Sequence, residues 1–134
     1  RGVWRADGVI HVSGQAEHLP RRLTDFLKRE ARGEIAPRAQ ALAERIGRPV
    51  GRVTLRGTAS RWGSCSSRGD LSFSWRLILA PEPVLHYVVA HEVAHLRHMN
   101  HGPRFWALVD QLVDDVDTPK HWLRRHGARL MRYG

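Results

Sequence analysis

The sequence predicts a single α+β domain over residues 1–134, with a short antiparallel sheet packed on helices. Three observations carry that expectation. Apolar residues recur at helical spacing over four stretches. Short strand-like runs cluster apart from them, before residue 13 and between residues 53 and 79. No repeat, low-complexity run or long linker divides the chain. It begins at Arg1 rather than Met, which fits a piece of a longer protein.

Val3-Trp4 and Val9 to Val12 flank Ala6-Asp7-Gly8, so the chain opens as a hairpin turning at Asp-Gly. From Pro20, the residues Leu23, Phe26, Leu27, Ala31, Ile35, Ala39, Leu42 and Ile46 recur every three to four positions, an amphipathic helix with Arg and Glu opposite. Gly33 and Pro37 interrupt it. Pro37 is expected to kink the helix or to start a second segment ending at Gly47-Arg48-Pro49. Val53 to Leu55 alternates as a strand, and Arg61 to Ser64 and Leu71 to Ser74 read as two more, joined by a Ser-Ser-Arg-Gly-Asp turn.

Leu77, Ile78 and Leu79 continue as an apolar segment up to Pro81 and Pro83, where the next helix opens. On it Val84, Val88, His91 and His95 share one stripe and Leu85, Val89 and Leu96 a neighbouring one, so much of this helix is buried. Pro103 opens a helix through Phe105, Leu108, Val109 and Leu112. Asp117-Thr118-Pro119 caps a last one carrying Trp122, Leu123 and Leu130. Both read as packing helices.

The chemistry lies in the run HEVAHLRHMNH, residues 91–101. Helix residues four apart have Cβ atoms roughly 5–6 Å apart, so His91 and His95 can point imidazoles at one ion while Glu92 leaves the adjacent flank. A zinc ion held by neutral protein groups lowers the pKa of its water to about 7, and Glu92 would take that proton. No Glu follows Glu92, so a distal glutamate ligand is excluded. His101 has the spacing of the third ligand in H-E-x-x-H-x-x-G-x-x-H metalloproteases, with His98 in the place of their glycine. Asn100 and Gly102-Pro103 would end one helix and begin another, swinging His101 back over the ion. Asp110 and Asp114 stand as fallback ligands.

With nine histidines in the chain, a chance H-E-x-x-H has a frequency of roughly a few per cent. The third His at a known spacing lowers it, and a metal site is the stronger reading. His98 reads as a solvated helix-end residue. The lone Cys65 forms no internal disulfide, which fits a reducing compartment, the cytoplasm; it reads as a small buried hydrophobe, with a fourth zinc position as the alternative. No apolar run approaches the ~20 residues of a membrane helix, and RGVWRADGVIHV lacks a signal peptide's apolar stretch, so no membrane partner is expected. The formal charge of +9, nearly all Arg on the cationic side, suits phosphate or carboxylate partners, DNA or DNA-bound proteins among them, as well as plain solvation.

The segments RWGSCSSRGDLSFSWRLILAP, HYVVAHEVAHLRHMNHGPRFW and HWLRRHG resemble the YgjP-like metallopeptidases, relatives of the SprT-like proteases. Two positions depart from that pattern: Ser74 stands where Asn usually precedes Trp75, and Gly102 where Ser usually follows the third His. The resemblance implies a small zincin-type fold, one zinc bound by His91, His95 and His101, Glu92 as catalytic base, and hydrolysis of peptide bonds in proteins or peptides. SprT-like relatives act on DNA-attached proteins, an analogy that suits the charge.

Trp62, Trp75 and Arg76 are expected either to line a substrate groove or to pack in the core and on the sheet; Tyr87, His126 and Tyr133 are candidates for stabilising the oxyanion. The leading expectation is a zinc metalloendopeptidase. Its rival is a DNA-associated binding module with a structural or vestigial zinc, in which four protein ligands would close the site.

Overall fold

The computed structural model describes residues 3–6, 9–12, 21–57 and 61–132, with side chains described for the last two stretches. Strands β1 (Val3–Ala6) and β2 (Val9–Val12) pair antiparallel with Ala6 opposite Val9, the register a two-residue turn imposes. The Asp7-Gly8 turn itself lies outside the described residues.

Helix α1 (Arg21–Arg45) buries Leu27, Ala31, Ile35, Ala39 and Leu42, the periodic positions of the sequence. Its expected interruption does not occur, and it runs unbroken through Pro37. Pro37 and Gly33, the residue four before it, both lie on the exposed face, so water can satisfy the carbonyl that loses its partner and the ring meets no core side chain. Ile35 and Ala39, fully buried, hold the helix on either side. The helix stops at Gly47, whose φ of +67° lets Arg48 N–H bond back to Ala43 O at 3.0 Å.

Strands β3 (Val53–Arg56), β4 (Gly63–Cys65) and β5 (Leu71–Ser74) form a sheet in the order β3-β5-β4. The pair β4 and β5 is antiparallel across the Ser66 to Asp70 turn, as the turn residues predict. Strand β3, however, pairs parallel with β5, so the sheet is mixed rather than antiparallel. The reason is the link from Arg56 to Gly63, too long for a tight hairpin: it reverses direction but leaves one strand's width open, and β5 fills it. Gly51 N–H to Gly69 O (2.9 Å) and Leu71 N–H to Arg52 O (2.8 Å) tie the start of that pairing.

A 3-10 helix (Trp75–Leu79) follows β5 directly, and the Ser74 hydroxyl accepts from Arg76 N–H at 3.2 Å. Ser74 thus serves as a cap. Helix α2 (Glu82–Ala94) begins with Pro in its first turn and buries nine side chains on nearly every side, which is why its apolar residues form two stripes rather than one. It packs along α1 and against β4. Arg38 pairs with Glu34 and Glu82 and lies 3.1 Å from His86 Nδ1, a polar clasp between α1 and the start of α2.

Helices α3 (Pro103–Leu112) and α4 (Asp117–Leu130) both pack on α2. The N-cap position of α4 is Val116, which makes no side-chain cap, rather than the expected Asp117; one residue earlier, Asp115 Oδ1 accepts from Thr118 N–H at 3.3 Å, and hydrogen bonds to Thr118 hold its carboxyl below the usual pKa. The architecture is α+β, as the sequence predicts. No described helix is long and apolar enough to cross a membrane.

Candidate metal centre

The α2 helix carries His91 and Glu92 in its last turn and leaves His95 at its cap. It stops there because the bonds tighten: the N–H groups of His95, Leu96 and Arg97 reach back three residues, to Glu92, Val93 and Ala94, at 3.1, 2.9 and 3.1 Å. This stop comes before the one expected at Asn100. The chain then turns, and Gly102, extended at φ −88° and ψ −176°, starts α3 with Pro103 in its first turn. Gly102 brings no side-chain cap, which is the local consequence of its departure from Ser.

Between the two helices His101 meets the pair on α2. The ligating atoms of His91, His95 and His101 all lie within 4.8 Å of one another. His95 Nε2 and His101 Nε2 are 2.9 Å apart, against roughly 3.3 Å for two nitrogens sharing a tetrahedral zinc. His95 Nδ1–H donates to the carbonyl of His98 at 2.9 Å, which fixes the tautomer and leaves Nε2 as a lone-pair donor toward the cluster. His91 Nδ1–H donates to Glu92 Oε2 at 3.1 Å, freeing its Nε2 in the same way. Desolvation, then the neighbouring His95 and His91, lowers the pKa of His101 and favours the neutral ring that binds metal. The donor set therefore fits a divalent metal ion.

Glu92 is only 6% exposed. Strand β4 runs against it: a Cβ built on Gly63 would lie 2.8 Å from Glu92 Cγ and 3.1 Å from Oε2 and Phe73 Cδ1. Only glycine permits that approach. Phe105, fully buried, stacks on the His95 ring (4.5 Å between centroids, 29°) and meets the His91 ring edge-on at 5.0 Å. Trp106 lies 5.8 Å from His91 and carries Lys120 Nζ 4.5 Å above it. Removing Phe105 as Phe105→Ala should cost roughly 3–5 kcal/mol through the cavity it leaves, read by urea denaturation of the purified variant.

Sequence reasoning missed these supports. It treated Phe105 as packing alone and expected only a solvated side chain of His98, whose carbonyl turns out to orient His95. The available signals were the four-residue step from His101 to Phe105 across a Gly-Pro helix start, and a glycine inside a strand-like run at Gly63.

The remaining candidates fall elsewhere. Asp110 and Asp114 are exposed, and neither they nor Cys65 joins the histidine group. Burial, then Glu92 and Asp70, pushes the Cys65 thiol up to about 11, so it stays protonated at neutral pH. Tyr87 is buried 6.1 Å from His91 between ring centroids, and burial, then Glu92, pushes its pKa up to about 12. His126 is exposed beside Trp122, and Tyr133 lies outside the described residues.

Trp75 and Arg76 are buried, at 1% and 5% exposure, in line with the core-packing alternative. The Arg76 guanidinium lies 4.6 Å from the Trp75 ring and donates to Gly57 O at 2.8 Å, which keeps a charge tolerable inside. Trp62 is half-buried against Gly127 of α4, where an added Cβ would sit 3.4 Å from the indole.

No curated protein and no solved structure matches the chain. A family model described as YgjP-like, metallopeptidase domain, matches residues 3–126, from β1 into α4. The histidine run falls inside that span with its three rings already converging, and the chain belongs to the YgjP-like metallopeptidase family.

Proposed function

We propose that this chain is a zinc-dependent endopeptidase, a single domain in which His91, His95 and His101 hold one zinc and Glu92 is the general base. The observation that supports it is the buried Glu92 carboxylate set beside three converging imidazoles. Bound zinc would polarise the scissile carbonyl and make water acidic enough to attack near neutral pH. Glu92 accepts the proton from that water and returns it to the leaving amine. Its burial keeps competing solvent away from the carboxylate.

Membership of a metallopeptidase family implies protein or peptide substrates. In the sheet order β3-β5-β4, β4 pairs on one side only among the described strands. An extended peptide can hydrogen-bond along its other edge, next to Gly63 and Glu92. Among the described residues, three histidines without Cys65 or a carboxylate as fourth ligand speak for a site that keeps room for water, against the binding-module alternative. The single free thiol suits a reducing compartment such as the cytoplasm.

Chelation tests the reading. Dialysis against 1,10-phenanthroline should abolish hydrolysis of an unfolded, fluorescently labelled protein, and zinc added back at about one equivalent should restore it. Metal content measured alongside ties rate to occupancy. Full hydrolysis by protein shown to be free of metal would sink the proposal.

A further inference from the structure

Beside the histidine cluster lies a cavity of about 220 Å³, whose walls include Arg48, Ser66, Arg68, His95, Arg97 and Met99. Its three arginines come from three separate segments: the exit of α1, the turn between β4 and β5, and the turn after α2. Backbone hydrogen bonds order the segments that carry them, Arg97 N–H reaching Ala94 O at 3.1 Å. Arg48 is tied to α1 through Ala43 O, Gly51 N–H bonds to Gly69 O, and Gly69 adopts φ +89°. A Cβ built on Gly69 would lie 3.6 Å from Leu96 Cδ2 and 3.8 Å from Pro49 O, so the segments meet there.

This convergence of charge has no internal explanation. Among the described residues, no ion pair engages Arg48, Arg68 or Arg97. The nearby Asp70 carboxylate accepts from Arg52 N–H at 2.8 Å and is not part of the cavity wall. All three arginines are exposed, so water solvates them and their positive field stays available to an acidic ligand. Guanidinium groups match carboxylates through paired, charge-assisted hydrogen bonds.

We infer that this cavity receives an acidic side chain of the substrate polypeptide close to the bond cleaved, so that the protein selects Asp- or Glu-bearing segments. The inference rests on the peptidase reading for its occupant, and His95 in the cavity wall places that occupant beside the reacting centre. Met99, 51% exposed, gives the rim an apolar surface for the neighbouring part of the peptide. A nucleic-acid strand suits the cavity less well, because single strands bind on aromatic platforms and the wall has no Phe, Tyr or Trp.

Two fluorescent peptides identical except for Glu against Gln at the same positions supply the test. Binding is measured by anisotropy to the zinc-loaded Glu92→Gln protein, which holds peptide without cutting it, and cleavage is followed with the native protein. The Glu peptide should bind about tenfold more tightly at low salt and lose most of that advantage in about 0.5 M salt. Adding Arg68→Gln and Arg97→Gln should equalise the two peptides with zinc content unchanged; Arg48→Gln, away from the metal-binding turn, serves as the second variant. Equal binding of the peptides, with both cleaved, overturns the acidic site and leaves the peptidase reading intact. An arginine-dependent preference for the Glu peptide, with neither peptide cleaved by the native protein, keeps the site and overturns the peptidase reading. Tighter binding of a single-stranded oligonucleotide, lost in the same variants, overturns the acidic-peptide assignment.

Discussion

Glu92→Gln should lower kcat by about 10²- to 10⁴-fold, the range expected for loss of a general base, while the protein still takes up zinc. Gln has nearly the shape of Glu, so the narrow space between α2 and β4 stays filled. Its amide oxygen can still accept from His91 Nδ1–H, now 3.1 Å from Glu92 Oε2, and the ring keeps its orientation. What Gln cannot do is accept the proton of the attacking water. Hydrolysis, metal content and thermal melting measured on one preparation separate these effects. Full activity in this variant would refute Glu92 as the base, whatever the metal does.

Gly63→Ala should cost activity by another route. The added methyl has 2.8 Å to Glu92 Cγ and 3.1 Å to Phe73 Cδ1, so either the carboxylate swings away or β4 moves outward. A displacement near 1 Å at a reacting group is worth about 10²-fold in rate. Overpacking of this kind also removes about 1–3 kcal/mol of stability. Because the methyl acts through Glu92, it should lower activity much less on a Glu92→Gln background than alone. A full second loss on that background would show that Gly63 acts on something else.

Much of this arrangement was legible in the sequence, for identifiable reasons. Helices α1 to α4 are strongly periodic or begin at Pro, and the antiparallel pairing of β1 with β2 follows from Asp-Gly between them. The convergence of His91 and His95 follows from helical geometry alone, and that of His101 from a familiar spacing. What remained hidden depends on tertiary placement. Pro37 reads as a breaker unless its exposure is known. The expected antiparallel sheet gave way to a mixed one because the link before Gly63 can span one strand's width as easily as fold back. Trp75 and Arg76 carry no mark in sequence that separates a groove from a core, and the arginines around the cavity beside His95 lie far apart along the chain.

All three rings of the histidine cluster come from residues 91–101, whereas α2 is anchored by side chains contributed from residue 27 to residue 112. An ion bridging so short a segment closes a loop of about ten residues and removes little chain entropy. It would act as a clasp on the corner between two helices, not as a rivet through the body. Emptying and refilling that corner can therefore proceed with the scaffold intact, in contrast to the small zinc-dependent domains that unravel when stripped.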